Sequence, residues 1–334
     1  MRIGFFGTPY LAARVLEDLI SHENIEVAFV VSNPDKPFGR EQIMRPTPVK
    51  ELALKENIPV FTPEKVRNNT EFLDVIRGYD CDYFVVVAYG KILPVELLAI
   101  PKKMCINVHG SILPKYRGAS PIQSALLHGE KETGVTIMQM SEGMDEGDMI
   151  FVEKIQIAED ETSETLFQKF AEISGKTLIE AILNLESGIL NLVPQDTSLA
   201  TYCTKIEKED GLIDWNQSAT EIYHKWQAYT PWPGIYTMYE GKRLLLEKVS
   251  LLRHPEGNEG SRNTQEQLDS SAKPQNDETH GKVIKLETGE IGIVCGEGLL
   301  TLEQVKLEGK KSQNIRDFVN GNKNLLSYNF LSHE

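Results

Sequence analysis

Three residues set the chemical possibilities of this chain: an asparagine, a histidine and an aspartate. Asn107 and His109 stand one residue apart in the run Cys105-Ile106-Asn107-Val108-His109-Gly110. Ile106 and Val108 alternate with them, the period-two pattern of a strand, so the two polar side chains leave one face while the apolar pair packs behind. Gly110 lets the chain turn away directly afterwards. An amide donor beside an imidazole at a strand end can hold developing negative charge and move a proton. Asp145 lies downstream in Gly143-Met144-Asp145-Glu146-Gly147-Asp148, where glycines at 143 and 147 loosen the backbone around a carboxylate. The same residues would equally serve a buried strand end bonded to its following loop. The acidic run would equally serve as a solvated turn or a weak cation site. Residue type and spacing do not choose among these readings.

The surrounding segments add to this. His109 is followed by Gly110-Ser111-Ile112-Leu113-Pro114, Tyr116-Arg117-Gly118-Ala119 and Pro121-Ile122, then by Thr133-Gly134-Val135-Thr136 before the Asp145 loop. Gly7-Thr8-Pro9, Asn33-Pro34-Asp35-Lys36-Pro37, Val87-Ala88-Tyr89-Gly90 and Pro231-Trp232-Pro233-Gly234 stand in the same chain order. Taken together, the chain resembles, almost end to end, the folate-dependent formyltransferases. Their Asn-x-His…Asp set is followed after the histidine by Ser-Leu-Leu-Pro, and Ile112 here replaces the first Leu, an apolar exchange. The resemblance implies Asn107, His109 and Asp145 as the catalytic set, with 10-formyltetrahydrofolate as co-substrate and no metal. It implies a folate site shaped by Ser111, Ile112, Leu113 and Pro114, with Tyr89 and Ile92 and the backbone around 141–145. Asn107 and His109, the latter as imidazolium, are expected to donate to the formyl oxygen, while Asp145 holds the His109 charge and relays protons.

Within that family, the 118–123 segment and the basic loop at 36–45 favour the members that formylate methionine on initiator methionyl-tRNA for the start of protein synthesis. Sugar-nucleotide N-formyltransferases and formyltetrahydrofolate hydrolases share the three residues and are the alternatives. Lys36, Arg40 and Arg45 are the residues that this resemblance brings to the tRNA acceptor end. Glu41 and Gln42 depart from the family there, standing where basic residues are common.

The elements that must carry these residues read as α/β. An apolar run at 2–6 turns at Gly7-Thr8-Pro9; Leu11, Val15, Leu16 and Leu19 then recur at helical spacing, and 25–31 is a second apolar strand, which begins a βαβ unit and a parallel sheet. Gly4 and Gly7 do not make G-x-G-x-x-G, so the expectation is a Rossmann-like sheet without a dinucleotide. Residues 33–48 hold four prolines and a glycine and predict a loop. The run at 83–88 predicts a strand buried on both faces. A helix is predicted at 121–128, strands at 133–140 and 149–157, and a long helix at 162–187. A catalytic domain is thus expected over 1–188 and a linker over 189–204. Residues 205–334 are expected to form a small OB-like β-barrel domain of short strands separated by Gly turns. Between 253 and 280 polar residues dominate, which predicts a disordered insertion.

Composition bounds the partners. The 334 residues carry a net charge of -14, against a broadly electropositive nucleic-acid binder. From Lys205 onward 16 basic residues accompany 20 acidic ones, so most of the negative excess lies earlier and a polyanion would meet a milder field at the C-terminal part. Cys81, Cys105, Cys203 and Cys295 have no C-x-x-C spacing, which predicts neither a zinc knuckle nor a disulfide framework. No apolar run approaches the roughly 20 residues of a membrane span. The chain is expected to be cytoplasmic, with no membrane partner, and monomeric.

Overall fold

The first apolar run becomes a central strand because both of its faces are covered. In the computed structural model, which describes residues 1–38, 43–252 and 280–330, β1 (Arg2–Gly7) is buried from its second residue onward. After α1 (Tyr10–Ser21) the chain returns as β2 (Glu26–Val31), parallel to β1. A hairpin of β3 (Lys36–Phe38) and β4 (Ile43–Arg45) leads to α2 (Pro48–Lys55), β5 (Val60–Phe61), α3 (Thr70–Arg77) and β6 (Tyr83–Val87). Then follow α4 (Val95–Leu98), β7 (Met104–His109), β8 (Arg117–Gly118), α5 (Pro121–Leu127), β9 (Glu132–Gln139), β10 (Met149–Gln156), α6 (Ser163–Glu186) and β11 (Tyr202–Cys203).

The main sheet has the order β10-β9-β7-β6-β1-β2-β5. β5, β2, β1, β6 and β7 are parallel; β9 runs against β7, and β10 against β9. β6 is buried at every position, as its unbroken apolar sequence requires of a central parallel strand. Phe6, Phe29 and Phe84 meet at ring-centroid distances of 5.3 to 6.0 Å, and α3 adds Phe72, Leu73 and Ile76 to the same core. Each such side chain withdrawn from water stabilises the fold by roughly 1.5–3 kcal/mol.

From β1 the chain extends the sheet first through β2 and β5, then on the other side through β6 and β7. Such a reversal opens a crevice beyond the C-terminal strand ends, the usual ligand position in open α/β sheets. Gly7 sits at that reversal, where a Cβ would lie 2.7 Å from Ala12 Cβ and 3.1 Å from the Val87 carbonyl oxygen. Only glycine lets the end of β1 come so close to α1 and β6. Past the edge, Asn33 Nδ2 donates to the Tyr89 carbonyl at 2.8 Å and to Thr8 Oγ1 at 2.9 Å. The turns after β1, β2 and β6 are thereby tied into one rim.

The Pro/Gly-rich stretch at 33–48 predicts only a loop, yet it contains the β3–β4 hairpin. Lys36 pairs with Arg45 and Pro37 with Met44. A proline is tolerated because a two-stranded ribbon has outward edges that need no ladder bond. The base of the hairpin is braced: Ser32 Oγ and Thr47 Oγ1 are 2.6 Å apart, Lys50 Nζ pairs with Asp35 at 2.8 Å, and Thr47 caps α2. Arg40, Glu41 and Gln42 lie outside the described residues.

Two compact units divide the chain. The first comprises Met1–Ile122, Lys131–Ala158 and Thr165–Lys205; the second comprises Gln123–Glu130, Glu159–Glu164 and Ile206–Glu334. Residues 189–204 lack periodicity but are bound within the first unit. Val193 and Met149 exchange two backbone hydrogen bonds of 2.8 Å, and β11 lies parallel to β8.

In the second unit α7 (Ala219–Tyr229) starts on a Ser218–Glu221 capping box. The strands are β12 (Ile235–Tyr239), β13 (Lys242–Leu251), β14 (Val283–Lys285), β15 (Ile291–Val294), β16 (Leu299–Leu307) and β17 (Gln313–Asn314), followed by α8 (Ile315–Gly321). They form a curled antiparallel sheet in the order β12-β13-β16-β15-β14, with β17 on β16. This half-barrel is what the short strands and Gly turns predict. Register shifts in β13 around Lys248 add curl, and Trp215, stacked on Phe330 and donating to Thr237 Oγ1, fills the core. Of the insertion predicted over 253–280, all but His280 lies outside the described residues. Among the described residues no helix is long and apolar enough to cross a membrane.

Candidate active site

β7 delivers Asn107 and His109 to the C-terminal edge of the sheet, and the loop between β9 and β10 brings Asp145 back to meet them. Asp145 Oδ1 accepts from Asn107 Nδ2 at 3.4 Å, and Asp145 Oδ2 lies 3.6 Å from His109 Nδ1. β9 pairs with β7 so that Met138 lies opposite Asn107 and Thr136 opposite His109. β9 runs from opposite His109 toward Cys105, so the loop after it folds back along β7 to bring the Asp145 carboxylate to Asn107 and His109.

Both ends of this arrangement are held by unusual backbone. Tyr116 has φ 60°, Asp145 φ 54° and Gly118 φ 121°. Left-handed conformations at non-glycine residues cost about 1–3 kcal/mol each and persist where surrounding contacts impose them. Here they aim polar groups. The Tyr116 carbonyl meets His109 Nε2 at 2.9 Å, and the Gly118 N–H donates to Asp145 Oδ2 at 2.9 Å. No other residue fits at 118, because a Cβ would stand 2.1 Å from the Cys203 carbonyl oxygen.

His109 is 5% exposed. Burial holds its pKa below the usual histidine range; Asp145 and the bond to Tyr116 push it back up without restoring it. The sequence reading expects a resident imidazolium, and burial instead favours the neutral ring. Since a carbonyl can only accept, Nε2 carries the neutral ring's proton. Nδ1 is left as the proton-accepting atom, beside a carboxylate able to hold the charge that arrives.

The residues predicted for folate divide by exposure. Ile92 stands 87% exposed beyond β6, and Ile112 and Pro114 are half-buried. Leu113 is buried, and its N–H donates to Thr136 Oγ1 at 3.2 Å. Ser111 is buried and its hydroxyl donates to the Lys115 carbonyl at 2.6 Å, so it shapes the turn. The Tyr89 ring points into the core 5.8 Å from Phe6, and burial pushes its phenol up to about 12. Tyr89 therefore offers the rim its carbonyl, not its ring. Lys36 and Arg45 are exposed and opposite each other on the hairpin. Among the described residues no group of three or more His, Cys, Asp or Glu side chains could hold a metal ion.

Sequence reasoning missed Tyr116, the Gly118 N–H, Arg117 and Gln195 as parts of the site. Tyr116, Arg117 and Gly118 stand in a segment singled out by resemblance, but nothing in it specifies a backbone carbonyl and amide as the functional groups. For Gln195 no local signal exists, since it lies in the aperiodic stretch.

The comparisons with known proteins identify the family. Residues 1–182 match the formyl transferase family, and residues 205–323 match the C-terminal domain of formyl transferases. The methionyl-tRNA formyltransferase of Caldicellulosiruptor saccharolyticus is 42% identical over 325 residues, which cover 97% of each chain. Among solved structures, the sugar 3N-formyltransferase WlaRD, with dTDP and 5-N-formyl-THF present, has a TM-score of 0.63 at 16% identity, covering 93% of this chain and 99% of its own. A methionyl-tRNA formyltransferase from Clostridium thermocellum has a TM-score of 0.53 at 18% identity, covering 75% and 94%. At such identities the two structural likenesses speak for the fold alone.

Proposed function

The chain belongs to the formyl transferase family, and from that premise we propose that it transfers the formyl group of 10-formyltetrahydrofolate to the α-amino group of methionine on initiator methionyl-tRNA, for the start of protein synthesis. The observation that carries the reading is the convergence of Asn107, His109 and Asp145 at one sheet edge in a chain related end to end to methionyl-tRNA formyltransferases. The reaction belongs to the cytoplasm, where translation starts. All the residues of the catalytic set come from one unit of one chain, which supports a monomer as the working form.

The donor set suits this co-substrate: an amide N–H for a carbonyl oxygen, and an imidazole–carboxylate pair for a proton. When bound, 10-formyltetrahydrofolate supplies the formyl carbon, which bonds to the amine nitrogen as its bond to N10 breaks. Asn107 Nδ2 donates to the negative charge growing on the formyl oxygen. His109 Nδ1 accepts the proton that the amine loses, and Asp145 stabilises the imidazolium so formed. The same proton then leaves Nδ1 for N10, so His109 ends neutral and each turn is balanced. Ile112, Pro114 and the exposed Ile92 present apolar surface to the pterin.

Incubation with 10-formyltetrahydrofolate and either methionyl-tRNA or a dTDP-amino sugar tests the reading. The expected result is formylation of methionyl-tRNA alone; formylation of the amino sugar alone would overturn it. The hairpin supplies a second check. Because each neutralised phosphate releases counterions, a protein this acidic must hold tRNA through local cations. The double variant Lys36→Ala/Arg45→Ala should raise KM for methionyl-tRNA about tenfold and leave KM for the folate within about twofold, the slope of log affinity against log salt shrinking by about two. Arg40→Ala should act in the same direction. Unchanged tRNA kinetics in both would remove the hairpin from the acceptor site.

A further inference from the structure

Asp145 can hold the His109 charge only if its loop is held, and glycines at 143 and 147 make that loop intrinsically loose. Its anchor comes from elsewhere in the first unit. Gln195 Nε2 donates to the Asp145 carbonyl at 2.9 Å and to the Gly147 carbonyl at 2.7 Å, so one amide group grips the backbone at the catalytic carboxylate and two residues beyond it. The other end of the same amide is fixed as well. Gln195 Oε1 accepts from Arg117 Nε at 3.1 Å and from Arg117 Nη2 at 2.8 Å, a forked contact.

Arg117 is an improbable residue to bury, and it is only 1% exposed. Its third nitrogen, Nη1, reaches the Tyr202 hydroxyl at 3.3 Å and lies 3.6 Å from Glu146 Oε1. An uncompensated buried guanidinium is strongly unfavourable, so the fold has provided for this one on every side. Its backbone is held too: the Arg117 N–H donates to the Thr201 carbonyl at 2.9 Å. The Arg117–Gln195 pair therefore spans from β8, beside the Gly118 N–H that holds Asp145 Oδ2, to the backbone of Asp145 itself.

We propose that Gln195 is a positioning residue for formyl transfer, clamping the carbonyls of Asp145 and Gly147 so that the Asp145 carboxylate stays against His109 and Asn107, with Arg117 fixing the clamp. This rests on the function proposed above. It also makes a working part of a segment whose composition reads as linker. The clamp holds the main chain while Gly118 holds the side chain, and Asp145 keeps its left-handed backbone between the two.

Gln195→Glu separates positioning from mere packing. The glutamate keeps the size of the side chain and an acceptor, now charged, for Arg117. It replaces the donor at the two carbonyls with an acceptor, which repels them. Expected are a kcat at least tenfold lower, a KM for methionyl-tRNA within about twofold of wild type, and a melting temperature within a few degrees. Gln195→Met, of similar length with no donor, should lower kcat in the same way. A second readout does not depend on the acceptor: the Gly118 amide, protected by Asp145 Oδ2, should exchange its hydrogen at least tenfold faster in Gln195→Glu. Wild-type kcat in Gln195→Glu, or unchanged Gly118 exchange, would overturn the clamp. So would a loss of activity that tracks only the loss of folded protein. If wild type fails to formylate methionyl-tRNA, the function proposed above falls, and Gly118 exchange still decides the clamp.

Discussion

Asn107→Ala and His109→Ala should each lower kcat by about 10²–10³, and the double variant should be little worse than the poorer single one. The first magnitude is that of losing one preorganised donor at a developing oxyanion. The second reflects residues that act as a unit on one tetrahedral carbon, whose contributions do not add. Asn107 supplies an N–H while the amine proton leaves to His109 Nδ1; charge growth and proton departure are two faces of one bond-forming event. KM for 10-formyltetrahydrofolate should change far less than kcat, since neither side chain is among the apolar surfaces offered to the pterin. Melting temperatures belong in the same experiment. His109→Ala takes from the Tyr116 carbonyl its 2.9 Å partner and leaves it the Cys203 thiol at 3.5 Å, so the lost hydrogen bond costs the fold about 0.5–1.5 kcal/mol. Either alanine variant turning over at a near-normal rate, fully folded, would remove that residue from the chemistry. Fully multiplicative losses in the double variant would mean that the two serve separate steps.

How far this site was legible depended on what kind of group does the work. Alternation on a strand puts Asn107 and His109 on one face, because period two is a property of neighbouring residues, but it serves a buried strand end equally well. Asp145 lacks even that: nothing between 109 and 145 says that β9 runs antiparallel to β7, and it took resemblance to place the carboxylate with the other two. The parallel strands β1, β2 and β6 were readable as apolar runs, since strands covered on both faces leave little room for polar residues, whereas the two residues of β5 give no pattern to read. The hairpin at 36–45 was not readable either, because three-residue strands give too short a pattern to outweigh prolines and a glycine. Backbone groups were hidden most completely. The Tyr116 carbonyl and the Gly118 N–H exist in any sequence, and only the conformations at 116 and 118 give them roles. Tyr89 is the reverse case: its type suits a ligand pocket, while its ring is buried in the core and its carbonyl is presented at the rim. The charge on His109 was out of reach of the sequence, because spacing says nothing of the burial that lowers its pKa.

Asp145→Asn should be the most damaging conservative change in the chain, with kcat falling on the order of 10³–10⁴, the scale seen when an orienting carboxylate beside a catalytic histidine becomes an amide. The two carboxylate oxygens have separate duties. Oδ1 accepts from Asn107, while Oδ2 accepts from the Gly118 N–H and faces His109 Nδ1. An asparagine has one oxygen to divide between them. If the oxygen turns to Gly118, its NH2 confronts the NH2 of Asn107; if it turns to Asn107, its NH2 confronts the Gly118 N–H. Either way a donor meets a donor, and the negative charge that would stabilise an imidazolium is gone. The titration of His109 should report that loss directly. Burial sets its folded pKa below the unfolded value of about 6.5, so the neutral ring contributes stability above that pH which is lost as pH falls toward the folded value. Asp145 opposes the depression, and removing its charge should move the His109 transition, followed by NMR of the ring protons, to still lower pH. The acid-side loss of stability should extend with it. A His109 transition that stays in place in Asp145→Asn, with kcat within tenfold of wild type, would mean that Asp145 neither holds the charge on His109 nor handles the proton.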